Sequence, residues 1–298
     1  MPEGPEVKRY ADALNEVLAK KRIKYFMART VNARKWLDQF GSSLLNKKVS
    51  RVVSHGKHLI GYIEGDFYFH SHLMMWGRWQ TFQPAPPDEI DRRERARIVV
   101  TRGAAILYSA PIFNVGQGDP YEQVEYLNTL GPDVLPYDKQ FDTKTFLSRL
   151  KGKDYRTVTI GAALLDQRIA AGIGNYLRAE ILFACRINPW RLVQDLSKEE
   201  IQCLQQTIPA LGERAYRLLA TAPEEDRARM KADNSLVYQP GREYGTRHLV
   251  FRRTNLPCLR CSNPIKQLRQ LTISTGEEER DRIVYFCPTC QNVDTGNG

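Results

Sequence analysis

Near its C-terminus the chain carries two Cys-x-x-Cys pairs, Cys258-Leu-Arg-Cys261 and Cys287-Pro-Thr-Cys290, separated by 25 residues. A two-residue spacer lets two thiolates reach one tetrahedral ion from a tight knuckle, and two knuckles complete four-coordinate Zn²⁺. The competing readings are two redox pairs or an iron–sulfur site, and thiolates at this spacing most often select zinc. A closed four-cysteine site leaves no position for substrate. The single ion is therefore expected to be structural, stapling a segment too short to fold alone. Six cysteines in 298 residues do not make a disulfide scaffold of the small secreted kind. The remaining two, Cys185 and Cys203, stand singly in apolar helical contexts and are expected to be buried small hydrophobes.

The rest of the chain is long enough to divide, since single cores stop growing at roughly 250 residues. With 42% hydrophobic and 26% charged residues the composition is globular, which excludes a disordered chain. No apolar run approaches the ~18 residues of a bilayer span. Glu3, Glu6, Lys8, Arg9 and Asp12 occupy the stretch where a signal peptide would be apolar. An intracellular protein is expected, in the cytoplasm and nucleoid if bacterial. The net charge of +10 favours a polyanionic partner, nucleic acid among them, although many soluble proteins are as basic.

Apolar residues at Val7, Tyr10, Ala11, Leu14, Val17 and Leu18 predict a helix with one buried face, and Pro5 suits its first turn. From Val49 to about Tyr108 short β-branched and aromatic runs, separated by turns at Glu64-Gly65-Asp66 and Arg102-Gly103, predict antiparallel hairpins. Pro84 to Arg97 is proline-rich and then charge-dense, which reads as a solvated loop. After Gly131-Pro132-Asp133 the pattern is helical to about Ala222, with a capping box at Ser197-Lys198-Glu199-Glu200. Pro223 to Tyr244 is polar and irregular, expected as a mobile loop before the cysteine unit.

The first residues, Met1-Pro2-Glu3-Gly4-Pro5-Glu6, carry the chemistry. Proline after the initiator methionine permits its removal and leaves a secondary amine. An α-amino group of pKa about 7.7–8.0 is roughly a tenth neutral at pH 7, whereas a lysine at about 10.4 is neutral about once in 2,500 molecules. Such a proline is a ready nucleophile for an aldehyde-level carbon, with Glu3 beside it to move protons. Taken alone, a Met-Pro start is also ordinary processing chemistry.

That start, Gly56-Lys57, Leu130-Gly131-Pro132-Asp133-Val134-Leu135, Leu164-Leu165-Asp166-Gln167, Ala171 to Glu180 and the paired cysteines occur in the order found in one family. Over residues 2 to about 291 the chain resembles the formamidopyrimidine-DNA glycosylase / endonuclease VIII family. The resemblance implies an α+β multidomain fold: an N-terminal antiparallel β-sandwich with flanking helices (1–125), a helix-two-turn-helix domain with a loop (126–245) and a zinc finger (246–292), with DNA in the cleft between. It implies a monomeric, bifunctional DNA glycosylase/abasic-site lyase acting on double-stranded DNA with oxidised bases or abasic sites. By the same resemblance Pro2 is the nucleophile at deoxyribose C1′, Glu3 its acid/base partner and Glu6 a supporting carboxylate. Lys57 is the phosphate-contacting lysine assigned to proton donation in β-elimination; its plain alternative is a solvated hairpin lysine. Asn175, after Gly172-Ile173-Gly174, stands where helix N-terminal N–H groups point at a phosphate, which is also an ordinary helix cap. Arg282 resembles the finger arginine that clamps lesion phosphates and assists δ-elimination, with Arg280 two residues away.

A flipped-out nucleotide leaves a gap that must be filled. Leu73-Met74-Met75-Trp76-Gly77 aligns with the family's void-filling loop, and Met is among the side chains used as wedges between base steps. Met75 is favoured, then Met74, then Trp76; the alternative is that these are core residues of a strand end. Ile106-Leu107-Tyr108-Ser109-Ala110 replaces the Asp-Pro-Arg-Arg-Phe-Gly segment of the purine-directed branch. Oxidised pyrimidines are therefore expected, with oxidised purines, or a non-catalytic DNA-binding protein, as the alternatives. Three departures from the pattern stand out: the long acidic spacer Ser274 to Glu279, Thr129 in place of an arginine, and the Met-Met-Trp tip.

Overall fold

The computed structural model describes residues 2–220, 248–272 and 280–294, with the side chains of 218–220 and 280 outside the description. The expected loop Pro223–Tyr244 and the acidic spacer Ser274–Glu279 lie outside the described residues. The chain divides into two compact units, the first made of 1–130 with 136–139, the second of 131–135 with 140–298.

The first unit opens with α1 (Gly4–Leu18), β1 (Ile23–Ala28) and α2 (Val31–Phe40). Seven strands follow: β2 (Val49–His55), β3 (His58–Ile63), β4 (Phe67–His72), β5 (Arg78–Phe82), β6 (Glu94–Val100), β7 (Gly103–Tyr108) and β8 (Ile112–Gln117). With β1 they form two antiparallel four-stranded sheets, ordered β1-β6-β7-β5 and β2-β3-β4-β8. Alternate side chains turn inward, so Phe26 and Trp79 of one sheet meet Phe69 and Phe113 of the other at ring separations of 5.9–6.4 Å. These rings lock the sheets face to face, as aromatic pairs in offset or edge-on contact do. Gly61, paired with Phe69, has no side chain because the ring occupies that space: a Cβ would stand 2.0 Å from it. The expected apolar face of α1 is buried at Val7, Ala11, Leu14, Val17 and Leu18. Asn15 ties the helix to the sheet, its Oδ1 accepting the Val52 N–H at 2.7 Å.

One expectation for this unit is overturned. The charge-dense end of the Pro84–Arg97 insert is not a solvated loop: Glu94 to Arg97 belong to β6, and Glu94 and Arg97 form a salt bridge at 2.6 Å with side chains only 0% and 6% exposed. A register shift between Glu94 and Ala96 breaks the alternation of β6, and the pair is buried beneath the insert, where the Arg97 guanidinium also donates to the Pro87 and Glu89 carbonyls at 2.9 and 3.2 Å. The pair thus pins the insert to the sheet. Removing one partner strands the other charge, so Glu94→Gln is expected to cost roughly 3–5 kcal/mol in urea unfolding. An unchanged midpoint would show the pair to be dispensable.

The second unit contains α4 (Thr143–Leu150), α5 (Ile160–Ala163), α6 (Asn175–Ala184) and α7 (Lys198–Ala220), after the one-turn α3 (Pro120–Gln123) that ends the first. Ser197 and Glu200 close the expected capping box on α7, at 3.2 and 2.8 Å. Every residue of α6 from Tyr176 to Phe183 is buried. Such a helix must be covered on all sides, and its two charged residues, Arg178 and Glu180, must find partners there. Leu177, Ile181 and Leu182 pack into the helical core, while Ala179 and Phe183 pack against Val250, Ile265, Cys258 and Cys287, which flank the hairpin of β9 (Lys266–Thr272) and β10 (Arg280–Phe286).

Cys185 and Cys203 are not separate buried hydrophobes. Both are half-buried, and they are joined in a disulfide. Cys185 caps α6 and Cys203 lies in the second turn of α7, which packs against α6, so residues 18 apart in sequence face each other. Among the described residues no helix is long and apolar enough to cross a membrane.

Candidate active site

In the first unit Glu3 is the N-cap of α1, closing a capping box with Glu6, and is only 4% exposed. The Glu6 carboxylate accepts the Glu3 N–H at 3.0 Å and pairs with Arg9 at 2.9 Å, so it braces the backbone beside Pro2. Pro2 itself is half-buried. Lys57 lies in the two-residue turn between β2 and β3 and is 9% exposed, so it is not a solvated hairpin lysine. Its charge acts on neighbouring rings: it contributes to holding His58 and His72 below the ordinary histidine range. For each the larger cause is burial, which lowers His58 to about 2 and His72 to about 4. The two rings beside the turn, His58 and His72, are thus neutral at pH 7.

After β4 the chain makes a closed turn, with the Gly77 N–H donating to the Leu73 carbonyl at 2.8 Å. Gly77 is required there, since a Cβ would stand 2.4 Å from that oxygen. The tip projects into solvent, Met74 40%, Met75 59% and Trp76 80% exposed, which removes the strand-core alternative for all three. Trp76, ranked last from sequence, is the most exposed.

In the second unit Gln167 shapes the entry to α6: its Oε1 accepts the Gly172 N–H at 3.0 Å and its Nε2 donates to the Ile173 carbonyl at 2.9 Å. Asn175 is the first residue of α6, and its Nδ2 donates to the Ile283 carbonyl at 2.9 Å. Arg178, fully buried, donates to Asn175 Oδ1 at 2.6 Å and to the same Ile283 carbonyl at 2.8 Å. Arg282 is exposed and immediately precedes Ile283, so the helix start and the finger arginine are held side by side. In the sequence Arg178 stands out only as part of the run Ala171–Glu180. Its role as a brace depends on β10 lying across the start of α6, more than a hundred residues later in the chain. Glu180, also unassigned from sequence, accepts the N–H groups of Leu249, Val250 and Phe251 at 2.8–3.0 Å. Burial raises its carboxyl above the usual range against the pull of those donors.

The four sulfurs of Cys258, Cys261, Cys287 and Cys290 lie within 4.8 Å of one another, with Cys258–Cys290 at 3.9 Å and Cys261–Cys287 at 3.5 Å. A tetrahedral ion with Zn–S of about 2.3 Å needs sulfurs about 3.8 Å apart. Backbone N–H groups of Arg260 and Cys290 point at Cys258 and Cys287 at 3.4 Å, the donor pattern of a thiolate knuckle. The cluster could hold a metal ion.

Two family models match the chain: the N-terminal domain of formamidopyrimidine-DNA glycosylase over residues 1–111 and its H2TH domain over 130–222. The chain belongs to the formamidopyrimidine-DNA glycosylase / endonuclease VIII family, and it is a bifunctional DNA glycosylase/abasic-site lyase of base excision repair. Among its relatives, Endonuclease 8 of Pectobacterium carotovorum is 29% identical over 291 residues, covering 98% of this chain and all of that protein. A probable endonuclease 8 of Streptomyces coelicolor is 29% identical, covering 98% of this chain and 94% of that one. The fold is shared with MutM bound to DNA containing carbocyclic 8-oxo-G (TM-score 0.73, 22% identity, 97% and 99% of the two chains). It is shared equally with the Lactococcus lactis enzyme bound to DNA containing an oxidised pyrimidine (TM-score 0.73, 22% identity, 97% and 99%).

Proposed function

We propose that the chain excises oxidised pyrimidines from duplex DNA through an imine on Pro2, followed by β,δ-elimination. The observation that carries this reading is the start of α1: Pro2, whose nitrogen becomes a secondary amine once Met1 is removed, stands next to the buried Glu3, which closes a capping box with Glu6. The amine of Pro2 attacks C1′ and the base leaves with the glycosidic electron pair. Glu3 donates a proton to O4′ as the sugar opens, leaving an iminium. Loss of a C2′ proton expels the 3′-phosphate, and a second elimination expels the 5′-phosphate. Lys57 neutralises phosphate charge and supplies protons, and Asn175 and Arg282 clamp phosphates flanking the lesion. Met74, Met75 and Trp76 fill the vacated stack. The four cysteines hold one structural Zn²⁺, which keeps the hairpin carrying Arg282 folded.

Pyrimidine preference rests on the absence of the purine-branch segment at Ile106–Ala110 and on the full-length endonuclease 8 relatives. Borohydride trapping on duplexes containing thymine glycol, dihydrouracil or 8-oxoguanine tests it. The pyrimidine lesions are expected to trap at least about tenfold faster, within the range hydrogen-bond discrimination supplies. Faster trapping on 8-oxoguanine would move the chain to the purine branch.

A further inference from the structure

Four of the chain's five histidines stand on adjacent strands of one sheet, His55 on β2, His58 on β3, His70 and His72 on β4, and the proposed chemistry uses none of them. The strand register sets His58 opposite both His55 and His72, and His70 opposite Asn114. The hydrogen bonds assign the protons. The Asn114 Nδ2 lies 3.2 Å from His70 Nδ1, and an amide nitrogen only donates, so His70 carries its proton on Nε2. That N–H donates to His58 Nδ1 at 2.9 Å. The His58 ring abuts the His72 ring, centroids 4.7 Å apart, and His72 Nδ1 accepts the Met74 N–H at 3.2 Å. Among the described residues the metal-compatible cluster is the four cysteines, so this ladder is a hydrogen-bonding device.

The acceptor matters because Met74 has φ of 51°, the left-handed region that a methionine disfavours. The tip it leads into is exposed, so apolar burial does not hold it. A side-chain acceptor bonded to the N–H two residues on is what asparagine does in an Asx turn. We propose that His72 is a positioning residue: its Nδ1 latches the Met74 amide and sets the entry into loop 73–77, while His58 and His70 hold the ring in place. The inference rests on reading that loop as the void-filling wedge. It makes the loop's shape depend on a residue behind it and joins the wedge to the turn that carries Lys57.

Three variants separate the latch from the wedge. His72→Phe keeps a ring without the acceptor, with His72→Leu in reserve if it does not fold. His72→Asn keeps the acceptor without the ring. A Met75→Ala/Trp76→Ala variant removes the tip alone. His72→Phe is expected to lower kcat/KM for base excision from a duplex about tenfold or more while borohydride trapping on single-stranded abasic DNA stays within about twofold, and His72→Asn to recover most of the loss. Exchange of the Met74 amide with solvent should quicken about tenfold in His72→Phe and stay slow in His72→Asn. Unchanged amide exchange in His72→Phe, or equal loss in His72→Asn, overturns the latch. Normal duplex excision by the Met75/Trp76 variant overturns the wedge reading and leaves the exchange result to decide the latch by itself.

Discussion

Extending the chain so that a residue remains ahead of Pro2 once Met1 is removed, and the Pro2 nitrogen stays an amide, is expected to abolish covalent trapping on abasic and damaged duplexes. Loss of the nucleophile should lower turnover by roughly 10⁴-fold or more, as removal of a covalent catalyst does elsewhere. Amide nitrogen has no free lone pair, and no lysine replaces it, since an amine of pKa near 10.4 is almost wholly protonated at pH 7. Lys57 is held in a turn and buried among neutral histidines, beside β3 rather than at the start of α1. Pro2→Ala, which restores a free α-amine, should trap again at reduced rate. Both variants should bind DNA with the parent's salt dependence, because phosphate contacts come from other side chains. Trapping that survives the extension would remove Pro2 from the role. Equal loss of DNA binding would show that the extension had disturbed the fold instead.

The parts of this molecule that were legible in the sequence are those governed by local rules. The apolar period of α1, the turns at Gly65 and Arg102, the Ser197–Glu200 capping box and the two cysteine knuckles each depend on residues a few positions apart. What was not legible depends on register or on distant chain. Glu94 and Arg97 look like part of a solvated charge run until β6 pairs them beneath the insert, with Arg97 bonded to the insert's own carbonyls. Cys185 and Cys203 look like two solitary hydrophobes until α6 and α7 bring them together. The histidine ladder is spread over residues 58, 70 and 72, and only the pairing of β3 with β4 makes it a contact. The same holds for the site: the residues read from motifs are present, whereas Arg178 and Glu180, which hold α6 to the hairpin and to residues 249–251, carry no local mark of that work. Loop 73–77 lies between these cases, since an exposed tip and a strand core can have the same composition and only exposure separates them.

Removing the metal, by chelation during unfolding or by Cys287→Ser, is expected to have the second largest effect. The hairpin's own buried cluster comprises Ala179, Phe183, Val250, Cys258, Ile265 and Cys287, so two of its six members are ligands and two belong to α6. So small a core cannot offset the chain entropy of ordering the segment. Burial raises the Cys287 and Cys290 thiols above the ordinary range, so without an ion these sulfurs stay protonated. A divalent cation displaces those protons and replaces weak contacts with metal–thiolate bonds, which supply about 10–16 kcal/mol in zinc-finger peptides. β10 runs from Arg280 directly into Cys287, so release of that ligand loosens the strand on which Arg282 and the Ile283 carbonyl sit. Cys287→Ser should therefore lose its zinc, measured as metal released per chain on denaturation and expected at one for the parent. Excision from duplex DNA should fall by about a hundredfold or more, as when groups that position a substrate are lost. The β-sandwich has its own core and should keep its thermal transition. The Pro2 amine should still trap concentrated single-stranded abasic DNA, because Pro2, Glu3 and Lys57, the residues proposed for the chemistry, all belong to the first unit. A parent protein without metal, or full duplex activity in Cys287→Ser, would remove the structural ion from the account.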